Sequence, residues 1–123
     1  MKEIKLFDAE LELMEYLWEH GTVQANRLSE YLLEYKGWKK SSTYIVLKRL
    51  EKKGAVQRTE PKYTVVPLVT REQVQLAETN SLVNKMFGGS FASLFANFVS
   101  SDQVSETTLE ELQKMIDENR KQK

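Results

Sequence analysis

Residues 39–54, with the sequence KKSSTYIVLKRLEKKG, constrain the fold more than any other part of this chain. At 100° per residue, one stripe has the i, i+3, i+4, i+7 spacing of a helix that faces a core, and it contains Thr43, Val46, Leu47 and Leu50. The opposite face carries Ser41, Ile45, Lys48 and Lys52, with Tyr44 and Arg49 beside them. Gly54 suits a helix end, since glycine adopts positive φ without a Cβ clash. The pattern predicts a helix with a buried face and a cationic face suited to the major groove of DNA.

Charge is distributed unevenly along the chain, although the net charge is zero. Residues 35–62 carry nine Lys or Arg against two acids, whereas residues 1–34 carry three cations against eight acids and residues 72–123 carry five against eight. A basic middle between acidic ends indicates a local anion-binding surface. A lysine-rich patch that is merely solvated is the alternative. The DNA-binding interpretation is favoured because the cations lie on one helix face and continue into the next segment.

Size and composition exclude several classes of protein. A chain of 123 residues suits one domain with an appendage, or two very small domains. The absence of cysteine excludes a disulfide scaffold and a thiolate metal site. No apolar run approaches the roughly 20 residues of a membrane helix, and the start has no apolar signal core. We therefore expect a soluble, cytoplasmic protein that uses no cofactor and no metal.

Residues 1–70 predict three helices followed by a β-hairpin. Asp8 is a favourable N-cap for the first helix, and Thr22 is placed to cap the second. The helix of residues 39–53 is the third. Two stretches rich in β-branched residues then flank a turn at residues 60–62. This order is that of a winged helix-turn-helix domain, in which the third helix enters the groove and the hairpin lies against the backbone.

Residues 71–123 predict a small helical dimerisation domain. A capping box from Thr70 to Gln73 begins a fourth helix, a short helix follows over residues 90–99, and Ser105 caps the last helix. Three short helices cannot bury this much apolar surface alone, so a second copy of the chain is the expected partner. The alternative, a monomer in which these helices fold back on the first domain, stays open. The expected dimer contacts are Phe91, Leu94, Phe95, Phe98, Leu109, Leu112 and Ile116.

Four pieces of sequence, spread over nearly the whole chain, match a known family. They are DAELELMEYLW at residues 8–18, Trp38, LKRLEKKG at residues 47–54, and the stretch from LVNK at residue 82 through FASLFANFV at residues 91–99 to residue 112. In these pieces the chain resembles the penicillinase-repressor family of the BlaI/MecI type, whose relatives include the copper-responsive CopY-type repressors. The resemblance implies a homodimeric transcriptional repressor that binds an inverted-repeat operator in double-stranded DNA.

The resemblance also implies a way to switch such a repressor off. In the antibiotic-responsive members, which regulate antibiotic resistance, a membrane sensor-protease detects a β-lactam and the repressor is cleaved at an Asn–Phe bond in the dimerisation domain. Carried over by position, that bond is Asn97–Phe98. Phe98 also lies on the apolar stripe, so a place in the dimer core alone is the alternative.

The chain departs from the family pattern at three places. Lys39-Lys40 stand where antibiotic-responsive members usually have Ser-Pro, and Tyr44 and Ile45 stand where Arg and Thr are frequent, so a different operator sequence is expected. The wing turn is short, with only residues 60–62 between the strands. The paired cysteines of the copper-responsive relatives are absent, which argues against a thiolate copper switch.

Side chains on the third helix and the hairpin are the expected DNA contacts. Lys48, Arg49, Lys52 and Lys53 are assigned to phosphates. Arg49 is suited to a bidentate guanine contact and Ile45 to a thymine methyl group. About eight neutralised phosphates per dimer predict that the logarithm of the binding constant falls with the logarithm of salt concentration with a slope of about −7. The remaining expected contacts are Ser41, Ser42, Tyr44, Arg58 and Lys62.

Other classes of function fit the sequence less well. The sequence has no Gly-rich phosphate loop, no ligands at metal spacing and no nucleophile beside a base, which argues against an enzyme. A winged helix that binds protein instead of DNA is disfavoured by the basic face of the third helix. A repressor with a small-molecule or metal inducer stays open.

Overall fold

The computed structural model describes residues 4–122, which form six helices and three short strands. A first compact unit ends at Thr79 and a second begins at Asn80, so the first half of the fourth helix belongs with the first unit, whereas the sequence placed the boundary after residue 70. The elements are α1 (Asp8–His20), β1 (Val23–Gln24), α2 (Ala25–Lys36), α3 (Lys40–Lys53), β2 (Val56–Thr59), β3 (Thr64–Pro67), α4 (Arg71–Met86), α5 (Phe91–Val99) and α6 (Glu106–Lys121).

The core of the first unit lies between α1, α2, α3 and the sheet. The stripe predicted for α3 is confirmed, since all four of its residues are buried. Gly54 ends α3 in the left-handed region, with φ 80° and ψ 16°, as the sequence predicted. The same core contains Leu13, Met14 and Leu17 of α1, Leu28 and Leu32 of α2, and Val56 and Val65 of the strands.

The sheet has three antiparallel strands in the order β1-β3-β2. The predicted hairpin of β2 and β3 is confirmed, whereas β1 was not anticipated. The prediction that Thr22 caps α2 is wrong, because β1 intervenes and α2 begins at Ala25. The Ala25 N–H instead donates to the Tyr63 carbonyl at 2.7 Å. This hydrogen bond satisfies one of the free N–H groups at the start of α2.

The start of α1 also differs from the prediction. Phe7, and not Asp8, occupies the N-cap position, with extended backbone at φ −87° and ψ 169°. Glu10 satisfies the backbone N–H of this N-cap residue, because its Oε1 accepts the Phe7 N–H at 2.7 Å. Asp8 lies inside the first turn, where its charge still favours the helix dipole.

The second unit contains the two C-terminal helices predicted from the sequence. Ser90 caps α5 by accepting the Ser93 N–H at 3.1 Å, and Ser105 caps α6 by accepting the Thr108 N–H at 3.2 Å. Neither α5 nor α6 contains a buried residue within the part of the chain that is described. Among residues 4–122, no helix combines the length and the apolar character needed to cross a membrane.

Candidate nucleic-acid interface

The outer face of α3 is open to solvent and positively charged. Lys48, Arg49 and Lys52 are exposed, and none of them forms an ion pair within residues 4–122. Ser41 is exposed on the same face, and Ile45 keeps 54% of its surface exposed among these polar neighbours. Three free cations around one isoleucine and a hydroxyl group form a surface that suits phosphates and base edges.

The wing lies against one flank of α3 through two tyrosines. The rings of Tyr44 and Tyr63 meet edge to face, with centroids 5.7 Å apart and an interplanar angle of 71°. Burial raises the pKa of Tyr63, and the nearby Glu51 raises it further, so the phenol is neutral and remains a hydrogen-bond donor at physiological pH. Tyr44 therefore packs against the wing and is half-buried on the flank of the basic face.

The two predicted wing cations lie in different surroundings. The guanidinium of Arg58 covers the Tyr63 ring at 4.1 Å from its centroid and also pairs with Glu60 at 3.2 Å. Lys62 is exposed in the turn. That turn contains four residues, not three, because β3 begins only at Thr64. The acid beside Arg58 reduces the positive charge that the wing presents.

Ser42 and Lys53 lie away from the centre of the basic face. Ser42 is half-buried in a cleft that it shares with Trp38 and the start of α1. The assignment of Lys53 to a phosphate needs correction, since its ammonium pairs with the buried carboxylate of Glu10 and donates to the Lys5 carbonyl at 2.8 Å. Lys52, its neighbour in sequence, points into solvent.

The histidine and the tryptophan of α1 have structural partners. No group of three or more His, Asp or Glu within residues 4–122 is arranged to hold a metal ion. His20 stacks on Tyr16 at a centroid distance of 4.3 Å, which places the single histidine in an aromatic cluster of α1 and α2. Trp18 donates from Nε1 to the Val69 carbonyl at 2.9 Å and fixes the start of α4 against α1.

The residues predicted for dimerisation form an exposed apolar surface in the second unit. A groove of about 400 Å³ lies between α5 and α6. Phe91, Phe95 and Phe98 line it while keeping between 40% and 53% of their surface exposed. Leu94 and Leu112 also line it, and Leu109 and Ile116 lie on α6 beside them, half-buried and exposed respectively. The sequence missed Val99, Val104 and Thr108, of which Val104 lies between helices, where a helical period gives no signal.

Asn97 and Phe98 lie next to each other near the end of α5. Both are exposed, and the peptide bond between them is inside the helix. The Ser100 N–H closes the last turn by donating to the Ala96 carbonyl at 3.0 Å. The bond is therefore reachable from solvent but held in a helical conformation.

Known proteins resemble the chain over its whole length. A family model described as "Penicillinase repressor" matches residues 6–118. The penicillinase repressor of Bacillus licheniformis is 28% identical over 126 positions, which cover 100% of this chain and 98% of that protein. The methicillin resistance regulatory protein MecI of Staphylococcus aureus strain N315 is 27% identical over 117 positions, which cover 94% of this chain and 95% of MecI.

The fold has a solved counterpart as well. The solution structure of the DNA binding domain of the repressor BlaI matches with a TM-score of 0.54 and 27% identity, covering 58% of this chain and 90% of that domain. The predicted winged helix and the resemblance to the BlaI/MecI type are thus confirmed, whereas a relation to copper-responsive repressors stays a prediction. The family is one of transcriptional repressors and not of enzymes. With a family model spanning most of its length, this chain belongs to the penicillinase repressor family.

Proposed function

We propose that this chain is a homodimeric transcriptional repressor that binds an inverted-repeat operator through α3 and the wing. The observation that carries the proposal is the outer face of α3, where Lys48, Arg49 and Lys52 are exposed without an acidic partner among the described residues. Three neighbouring cations that form no ion pair are costly on a helix that only meets water, because like charges repel. The same face neutralises phosphates when it lies in the major groove.

Each side chain of the interface then has a distinct task. Lys48 and Lys52 neutralise phosphates, and Arg49 offers a planar fork to guanine O6 and N7. Ile45 contacts a thymine methyl group. The hydroxyls of Ser41 and Ser42 bond near the start of α3, and Tyr44, Arg58 and Lys62 act at the flank where the wing approaches the backbone. Lys53 is left out of this set because Glu10 occupies it.

The dimer is supported by the apolar surface of the second unit. α5 carries Phe91, Leu94, Phe95 and Phe98 on one side, yet none of them is buried within one chain. A contiguous aromatic surface of this kind marks an association site. A second copy of the chain supplies the same surface and gives a two-fold contact. Pairing two α3 helices matches an inverted repeat, and the shared binding event raises operator affinity.

Induction by proteolysis completes the proposal. A cut between Asn97 and Phe98 separates the last two residues of α5, Phe98 and Val99, from the rest of the helix and divides the residues that line the groove, which weakens the dimer. The similarity to MecI, named a methicillin resistance regulatory protein, supports a β-lactam as the signal. A membrane sensor-protease that detects it is what the family resemblance implies. We place the protein in the cytoplasm, where the operator is. The bond must leave its helical conformation before a protease can bind it in an extended form.

Selection of bound sequences from a library of randomised DNA duplexes tests the proposed operator binding. The full chain should enrich an inverted repeat whose half-sites lie about 10 base pairs, or a multiple, apart. The α3 phosphate contacts of Lys48 and Lys52 on each protomer predict a log–log salt slope of about −4, lower in magnitude than the value of about −7 expected with Arg49 and Lys53 counted as well. A slope near zero, or no enriched repeat, would refute operator binding.

A pair of lysine variants controls this experiment. Lys48→Ala should weaken binding to every duplex by a similar factor, since a phosphate contact carries no sequence information. Lys114→Ala removes an exposed lysine from α6 and should leave binding unchanged. If both variants weaken binding equally, net charge and not the α3 face determines affinity.

Cleavage is tested by intact mass. In cells that contain a sensor-protease of the family and are exposed to a β-lactam, the chain should yield fragments that end at Asn97 and begin at Phe98. A chain that leaves its operator while still intact would replace proteolysis by another inducer.

A further inference from the structure

We propose that Glu10 and Lys53 form a positioning pair that sets the angle at which α3 meets DNA, without contributing charge to the interface. The inference rests on the proposed function, because it assigns a task within operator recognition. Lys53 follows Lys52 in the sequence and is therefore grouped with the basic face. In the structure its ammonium pairs with Glu10 instead.

The contacts of the pair join the end of α3 to the segment that precedes α1. Only 1% of the Glu10 side chain is exposed, and its Oε1 accepts both the Phe7 N–H at 2.7 Å and the Lys53 ammonium. Lys53 also donates to the Lys5 carbonyl at 2.8 Å and lies 4.4 Å from the centroid of the Phe7 ring. One ammonium group thus contacts Lys5 and Phe7 of the segment before α1 and Glu10 in the first turn of α1.

Burial makes this pair difficult to separate. A carboxylate removed from water is costly unless a cation and hydrogen bonds compensate it. Within residues 4–122, the other oxygen of Glu10, Oε2, is buried and has no hydrogen-bond partner. Lys53 is therefore the main compensation for the charge. The last turn of α3 cannot move away from α1 without leaving that charge unpaired.

The position of the pair determines what its loss would change. Lys53 is the final residue of α3, and Arg49 and Ile45 lie one and two turns before it on the outer face. A small rotation at this anchor displaces both side chains relative to the base edges. Base contacts require placement within about 0.5 Å, whereas a flexible lysine still finds a phosphate after such a shift. The pair should therefore govern selectivity and not general affinity.

Lys52 provides a matched control for Lys53. The two lysines are neighbours at the end of α3, but only Lys53 is tied to an acid. Full-length Lys52→Met and Lys53→Met variants are compared with the wild type on two duplexes, one selected by the wild type from a randomised library and one scrambled. Affinity is measured over a series of salt concentrations, at a temperature where circular dichroism shows each variant folded.

The Lys52→Met variant should change the salt slope, whereas the Lys53→Met variant should change selectivity between the two duplexes. Lys52→Met should weaken binding to both duplexes equally and make the salt slope of the dimer shallower by about 2, since each protomer loses one phosphate contact. Lys53→Met should leave the salt slope and the affinity for the scrambled duplex unchanged. Its ratio of scrambled to selected dissociation constants should fall by about tenfold, the effect of one lost base contact.

Glu10→Gln is the second variant and decides the matter if Lys53→Met does not fold. It keeps the size of the side chain and an acceptor for the Phe7 N–H, and it should lower the same ratio. A shallower salt slope in Lys53→Met would mean that Lys53 contacts phosphate and would overturn the inference. An unchanged ratio in the folded variants would overturn it too, by leaving the pair a stabilising role only. Absence of salt-dependent binding by the wild type would instead refute the proposed function itself.

Discussion

Replacing Phe98 by alanine tests whether the groove between α5 and α6 receives a second copy of the chain. Phe98 keeps 47% of its surface exposed in the single chain. Full burial of a phenylalanine is worth about 1.5–3 kcal/mol, so covering the exposed half contributes about 0.7–1.5 kcal/mol per protomer. A two-fold contact counts this twice, and the Phe98→Ala dimer should dissociate about 10- to 150-fold more readily.

The dimer dissociation constant is measured by sedimentation equilibrium, with circular dichroism as a check that α5 and α6 remain helical. Tyr35→Ala is the matched control, since Tyr35 is an aromatic residue that is 65% exposed but lies on α2 in the first unit. It should leave the dissociation constant unchanged. If Phe98→Ala and Tyr35→Ala give the same constant, the groove is not where the protomers meet, and the burial argument fails.

The remaining predictions concern the first unit. Ile45→Ala should relax the preference at one base position of a selected operator and leave the other positions as they are, which sequencing of bound duplexes would reveal. Trp18→Phe should leave the Val69 carbonyl without its donor and lower the free energy of unfolding by about 1–2 kcal/mol, measured by urea denaturation. Glu60→Gln should free Arg58 for phosphate and steepen the salt slope of the dimer by about 2; an unchanged slope would place the wing away from DNA.

Local chemistry explains what the sequence predicted correctly. The stripe of α3 depends only on spacing within one helix, and its residues are buried as expected. The capping box at the start of α4 also needs only near neighbours: the Gln73 N–H donates to Thr70 Oγ1 at 3.1 Å, and the Thr70 N–H donates to Gln73 Oε1 at 2.8 Å. Features of this kind are specified within one or two helical turns, where the sequence is directly informative.

Long-range pairing explains what the sequence did not reveal. β1 has two residues, and its strand conformation depends on β3 being placed beside it. The partner of Lys53 lies 43 positions earlier, in a first turn where an acid has its own local explanation. The local sequence around Lys52 and Lys53 does not distinguish the two lysines. Their surroundings differ because only Lys53 lies on the side of α3 that faces α1. Tertiary packing, and not composition, divides the basic cluster.

Tertiary packing also explains why the apolar stripe of α3 is buried in the single chain whereas that of α5 is exposed. An apolar stripe at helical spacing predicts that one face of the helix is buried, but it does not predict which element covers that face. In α3 the covering elements belong to the same unit, and Val46 and Leu47 are buried. In α5 the stripe is stronger, yet Phe95 and Phe98 stay exposed within one chain. Since both stripes follow the same physical rule, the exposure of the second argues for a partner that a single chain doesn't contain, and the aromatic surface is understood best as half of an interface.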